Sequence, residues 1–142
     1  MTALLFETTA SEPCPIDFQG DTAPLVYFMS FAVAERFGAQ HELAEAAAML
    51  KRQVKVNLGP LLRFGNAEPE TPGDFEELES LWQDGTPLAQ SARETAAALR
   101  ENAKLREYAE QYPGLAERFD ELAQQAAWAA EHDAQVRLTY LL

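Results

Sequence analysis

Read for the spacing of its apolar residues, the chain divides into helical stretches separated by proline and glycine. Residues 1–20 hold Pro13 and Pro15 and show no helical period. They read as an irregular arm in which Leu4 and Phe6 supply a weak signal for a short extended contact. Asp21 or Thr22 then offers a helix cap, and Pro24 suits a first helical turn. From Leu25 to Val33 nearly every residue is apolar, so this helix has no polar face. A helix of that kind is usually buried on most of its sides. Gly38 is placed to end it. The segment Leu25 to Phe37 is therefore expected to be the centre of the core, with Phe31 among its most buried residues.

A second helix is expected from His41 to Leu58, where Leu43, Ala47, Leu50, Val54 and Leu58 recur at three- and four-residue spacing. Gly59-Pro60 breaks it, because proline lacks a donor and crowds the preceding turn. Leu61, Leu62 and Phe64 read as a short apolar turn. Residues 66–73 read as a loop rich in turn-forming residues. A short acidic helix follows from Asp74 to Gln83 and ends at Gly85. Thr86-Pro87 opens a long helix reaching Tyr112. Pro113-Gly114 separates it from a last helix, Leu115 to Gln135. Residues 136–142 fit two patterns: they continue that helix, or Val136, Leu138, Tyr140 and Leu142 alternate as in a strand. The pattern predicts an all-α fold, a compact bundle of four main helices plus one short acidic helix. It forms a single domain over residues 21–142 behind the arm of residues 1–20.

Composition narrows the function classes. Of 142 residues, 47% are hydrophobic, which suffices for a packed core and argues against global disorder. The net charge of −12 argues against nucleic acid, whose phosphates require clustered Lys and Arg. It argues equally against an anionic membrane surface. Cys14 is the single cysteine, so no intrachain disulfide forms. The first residues lack the basic start and apolar run of a signal peptide, and no apolar run approaches the ~20 residues that cross a bilayer. A cytoplasmic location is expected.

The charge is unevenly laid out. Residues 46–67 contain no acid and carry Lys51, Arg52, Lys55 and Arg63. Residues 68–84 carry seven acids and no base. Lys51 and Lys55 share one helix face, with Arg52 beside them. An anion, a phosphate or an acidic protein surface suits that face. So does the following acidic segment, folded back over it, and its short tether favours the second arrangement. The acidic helix places Phe75, Leu78 and Trp82 at the spacing of a helix that enters a partner's groove. Packing on its own domain uses the same spacing and is the more ordinary outcome. Trp128 points away from the stripe of Leu115, Phe119, Leu122, Ala126 and Ala129, towards His132. It is either an exposed contact residue or part of a helix buried on two sides.

Catalytic chemistry leaves no pattern. His41 and His132 lie far apart, and neither has a glutamate three residues before it, so no metal site is expected. No nucleophile elbow, phosphate loop or dinucleotide fingerprint occurs. Cys14 sits among acids rather than bases, where a thiol stays inert. The reading is a non-catalytic, acidic helical protein-interaction module: an accessory subunit, assembly factor or regulator. It needs no cofactor and has another protein as partner. Self-association is left open. Trp128, His132, Lys51, Arg52, Lys55, Phe75, Leu78 and Trp82 are the candidate contact residues. The alternative is a helical protein that holds a small organic ligand or cofactor in a pocket lined by Tyr27, Phe28, Phe31 and Met49.

Overall fold

In the computed structural model, which describes residues 1–142, six helices are joined by a four-stranded mixed sheet. The expected all-α helical bundle is therefore corrected to a mixed helix-and-sheet fold. The strands are β1 (Ala3–Thr8), β2 (Phe64–Asn66), β3 (Gln83–Asp84) and β4 (Gln135–Leu141). The helices are α1 (Ala23–Glu35), α2 (Glu42–Met49), α3 (Pro72–Ser80), α4 (Gly85–Glu101), α5 (Ala103–Glu110) and α6 (Leu115–Glu131).

β4 organises the sheet. The terminal alternation of Val136, Leu138 and Tyr140 is a strand, not a continuation of α6. Asp133 adopts a left-handed conformation with φ of 54°, and the Ala134 amide donates to the Ala129 carbonyl at 2.9 Å, which closes the helix. β1 pairs antiparallel along one edge of β4, from Ala3 opposite Leu141 to Thr8 opposite Val136. The other edge is shared end to end: β3 pairs antiparallel at Gln135 and Val136, and β2 pairs parallel from Leu138 to Tyr140. The N-terminal segment is thus not irregular throughout. Its first third is an edge strand. Thr22 ties it down by accepting from the Leu4 amide at 2.9 Å, so its hydroxyl serves the sheet rather than the first turn of α1.

Alternation divides the sheet into two faces. Leu4, Val136 and Leu138 turn into the core and are buried. Glu7, Arg137 and Thr139 turn the other way. The core face is covered by helices, chiefly α1, α2, α4 and α6, whose buried residues include Leu25, Phe28, Leu43, Leu50, Leu88, Leu99, Phe119 and Leu122. Phe28 meets Phe119 edge-to-face at 5.3 Å. α4 and α6 run antiparallel and close together on alanines: Ala89, Ala92 and Ala96 of α4, and Ala123 and Ala126 of α6. Small side chains permit that approach, and Gly85 marks its tightest point. A Cβ there would collide with the Ala126 carbonyl oxygen.

Three helices end earlier than periodicity predicts. α2 stops at Met49 and opens into a π-helical turn over Leu50–Val54, which Lys55 closes with φ of 67°. The long helix expected to reach Tyr112 divides at Asn102. Its side chain accepts from the amides of Lys104 and Leu105 at 3.0 and 3.1 Å, starting α5 as a new helix. α6 stops at Glu131.

The other face of the sheet is covered only by α3 and the residues after it. Leu78 and Leu81 lie over Gly65 of β2, where a Cβ would stand 2.8 Å from Leu81 Cδ1. Arg137 donates to both carboxylate oxygens of Glu7, at 2.9 and 3.2 Å, and Thr139 donates to the same carboxylate at 3.0 Å. Its guanidinium lies 4.4 Å above the Trp82 ring. Arg63 donates to the Ser80 and Trp82 carbonyls. No residue of α3 itself is buried.

A capping box starts α3: Thr71 accepts from the Asp74 amide, and Asp74 accepts from the Glu70 and Thr71 amides at 3.0 and 3.1 Å. Those two amide bonds hold the Asp74 carboxyl below its ordinary 3.8. A depressed folded value stabilises the helix above the unfolded pKa, and the gain is lost as pH falls through the folded one. α3 is therefore expected to open before the core below about pH 4. Hydrogen exchange of α3 amides read against those of α4 measures this. Asp74→Ala should expose α3 at neutral pH and remove its acid dependence.

Candidate functional site

The sequence candidates fall in three separate places. Lys51 and Arg52 do not meet the acidic segment. Both close on Glu35 of α1, at 2.6 and 2.9 Å. The expectation that the acidic residues fold back over this basic face is corrected, because α3 lies beyond the opposite face of the sheet. The hydrogen bond from Lys51 holds the Glu35 carboxyl below its ordinary range, against an opposing contribution from burial. Lys55 forms no ion pair within 4 Å.

Phe75, Leu78 and Trp82 sit on and just after α3. They split by role: Leu78 turns to Gly65, Trp82 stacks with Arg137, and Phe75 stays 59% exposed. At the far end of α6, Trp128 is half-buried against the core and stacks on the His132 ring at 4.2 Å. His132 Nδ1 lies 2.8 Å from the Trp128 carbonyl, and its Nε2 lies 3.2 Å from Glu12. This pair meets the N-terminal arm at Glu12 and leaves Trp128 partly exposed.

The four residues of the alternative pocket reading do not gather around one cavity. Phe28 is fully buried against Phe119, and Phe31 and Met49 pack partly against the core. Tyr27 points outward. The five larger surface cavities lie mainly along α4, α5 and α6, and none of these four residues lines any of the five. No cluster of three or more His, Cys, Asp or Glu is placed to hold a metal ion. No helix is long and apolar enough to cross a membrane.

The unexpected feature is α1. Its apolar circumference predicts burial on most sides, yet one side is uncovered. Leu25, Phe28, Met29 and Ala32 face the core. At helical spacing on the other side stand Tyr27, Ser30, Phe31 and Ala34, continued by Phe37 just past the helix end. Tyr27 is 43% exposed and Phe37 78%. Phe31, expected at the centre of the core, is half-covered instead, lying flat against the His41 ring at 3.7 Å. His41 is held in that position because its Nδ1 accepts from the Leu43 amide and caps α2. Two tyrosines brace α2 from α5 and the turn after it: Tyr108 donates to Glu45 and Tyr112 to Glu42, at 2.8 and 2.7 Å. Burial, then the bond to Glu42, pushes the Tyr112 hydroxyl up to about 12, so it stays a donor throughout the working range.

Positive charge rims the C-terminal end of this face. Arg36 lies 5.3 Å from the Phe37 ring, and the exposed Val54 and Lys55 close the π-helical turn beside Lys51 and Arg52. Against Glu35, the four bases leave a local excess of three positive charges in a chain of net −12. The basic residues Lys51, Arg52 and Lys55 were legible in the sequence; Tyr27 was singled out only as a pocket residue, and Arg36 and Phe37 were not singled out. The only available signal for them was the lack of any polar side on a helix followed at once by Gly38.

No family model matches the sequence, and no curated protein or solved structure resembles it closely enough to bear on its fold or function.

Proposed function

We propose that this protein is a non-catalytic interaction module, an accessory subunit, assembly factor or regulator of the cytoplasm, which docks another protein on the uncovered side of α1. One observation carries the reading: a helix apolar around its whole circumference leaves Tyr27, Phe31, Ala34 and Phe37 in a continuous, partly exposed stripe. Contiguous exposed apolar surface with a polar rim is a mark of contact surfaces. Exposed aromatics beside arginine are the residue types that dominate binding energy. The basic rim selects a partner segment bearing acids around an apolar centre. The cytoplasmic placement rests on the lone cysteine and the acidic composition.

Replacing the exposed residues should leave the fold intact. Tyr27→Ser with Phe37→Ser is expected to move stability by no more than about 0.5 kcal/mol, as for surface positions generally. A photo-reactive residue placed at Tyr27 or Phe37 in the native host should capture the same protein from both positions. The same probe at Glu94, exposed on α4, should not. Capture at Tyr27 should disappear in the Phe37→Ser background. Adducts no different from those at Glu94 would overturn the reading.

A further inference from the structure

The face on α1 asks for an acidic helical segment with an exposed aromatic, and this chain carries one. We infer that α3 of a second copy docks on the uncovered side of α1, so that the protein associates head to tail. The inference rests on the α1 face being a docking surface, and it names the occupant.

Charge and shape both point to α3. It exposes Pro72, Phe75, Glu76 and Glu77, with Phe75 59% exposed, while Glu79 turns to Arg137 of the sheet at 3.7 Å. Residues 68–84 carry seven negative charges, the inverse of the excess around Arg36, Lys51, Arg52 and Lys55. Glu76 and Glu77 have no cation within 4 Å, so their charge is unspent within one copy. Phe75, followed in sequence by Glu76 and Glu77, matches Phe37, whose ring Arg36 approaches at 5.3 Å. Within one molecule the two elements cannot meet. α3 covers the Glu7, Arg137 and Thr139 face of the sheet, while α1 packs on the other face. The complementary surfaces are therefore satisfied only between copies.

The two surfaces differ, so the contact is heterologous. Such contacts build rings where the rotation closes and open arrays where it does not. The overall charge of −12 opposes association at low salt, where repulsion between whole molecules acts over ~30 Å. Near 0.1 M salt the range falls to about 10 Å, which leaves the contact pairs and removes most of the long-range repulsion. Association should peak there and weaken again near 1 M.

Sedimentation equilibrium tests this on the full chain. The weight-average mass should climb above 15.8 kDa as concentration rises about a hundredfold at moderate salt. Arg36→Glu with Lys55→Glu should lower the association constant at least about tenfold, and Glu76→Lys with Glu77→Lys should do the same. Each variant presents like charges on its two surfaces. Mixed together, each supplies the surface that the other lacks, and association should return. A single 15.8 kDa species at every concentration would overturn self-docking. So would association that neither charge reversal weakens, or a mixture that stays monomeric when each variant is folded by circular dichroism. Self-docking that fails while photo-capture at Tyr27 and Phe37 still yields one foreign protein would refute this inference alone. Failure of both would refute the α1 reading as well.

Discussion

Phe28→Ala is expected to lower the unfolding free energy by about 3–5 kcal/mol, the usual result of truncating a buried phenylalanine. Phe28 is fully buried and meets Phe119 of α6 edge-to-face at 5.3 Å, so the truncation removes both transfer energy and a specific ring contact. It also leaves a cavity where α1 crosses α6, two helices that cannot collapse onto it without leaving the sheet. A domain of this size has about 5–15 kcal/mol in total. The variant should therefore melt far earlier, and the midpoint of denaturant unfolding measures it. Phe31→Ala, three residues on, should cost less than half as much, because its ring is half-covered and packs on His41. Equal losses at the two positions would mean that α1 is covered on both sides, and the proposed docking face would not exist.

Gly85→Ala is the second large effect, expected at about 1–3 kcal/mol or more as an overpacked contact. The added methyl would run into the Ala126 carbonyl oxygen, with the Ala130 amide nitrogen at 3.3 Å behind it. Both belong to the backbone of α6 and cannot rotate aside. α4 must then separate from α6, along the alanine seam that joins the helix pair. An unchanged thermal midpoint for Gly85→Ala would show that the seam is loose and that alanine content alone sets the helix spacing. Ala126→Ser, which leaves that carbonyl in place and adds one buried hydroxyl, should cost less than Gly85→Ala and makes the comparison internal to the seam.

Helix positions were legible because their signals are local. Pro24, Pro60, Pro87 and Pro113 mark starts and breaks that follow from the proline ring alone. The six helices overlap the predicted stretches, although α3 starts two residues early at Pro72, and Asn102, the turn after Met49 and the close of α6 at Glu131 end three of the stretches early. The departures at Asn102 and after Met49 have local causes that apolar periodicity does not register: an asparagine side chain reaching two amides, and a residue in the left-handed region.

The sheet was not legible in the same way. β4 carries a clean alternation, and its two readings could be separated only by whether a partner strand existed. β1 reads Ala-Leu-Leu-Phe-Glu-Thr, four apolar residues in a row with no period of two, and it becomes a strand because β4 lies beside it more than 120 residues away. β2 and β3 have three and two residues, too few to show any period. A strand's backbone bonds are supplied by other segments, whereas a helix supplies its own. The all-α reading failed for that reason.

The same division holds for the site. The sequence determined that bases cluster at residues 51–63, that acids cluster at 68–84, and that the first helix has no polar side. Only the tertiary structure decided what those features face. It gave Lys51 and Arg52 to Glu35, and it put α3 across the sheet from the cations it was expected to cover. It also left Tyr27 and Phe37 outside the core. Residue spacing along a helix reports which side chains share a side. Whether another element covers that side depends on contacts between segments distant in the chain, which no local pattern encodes.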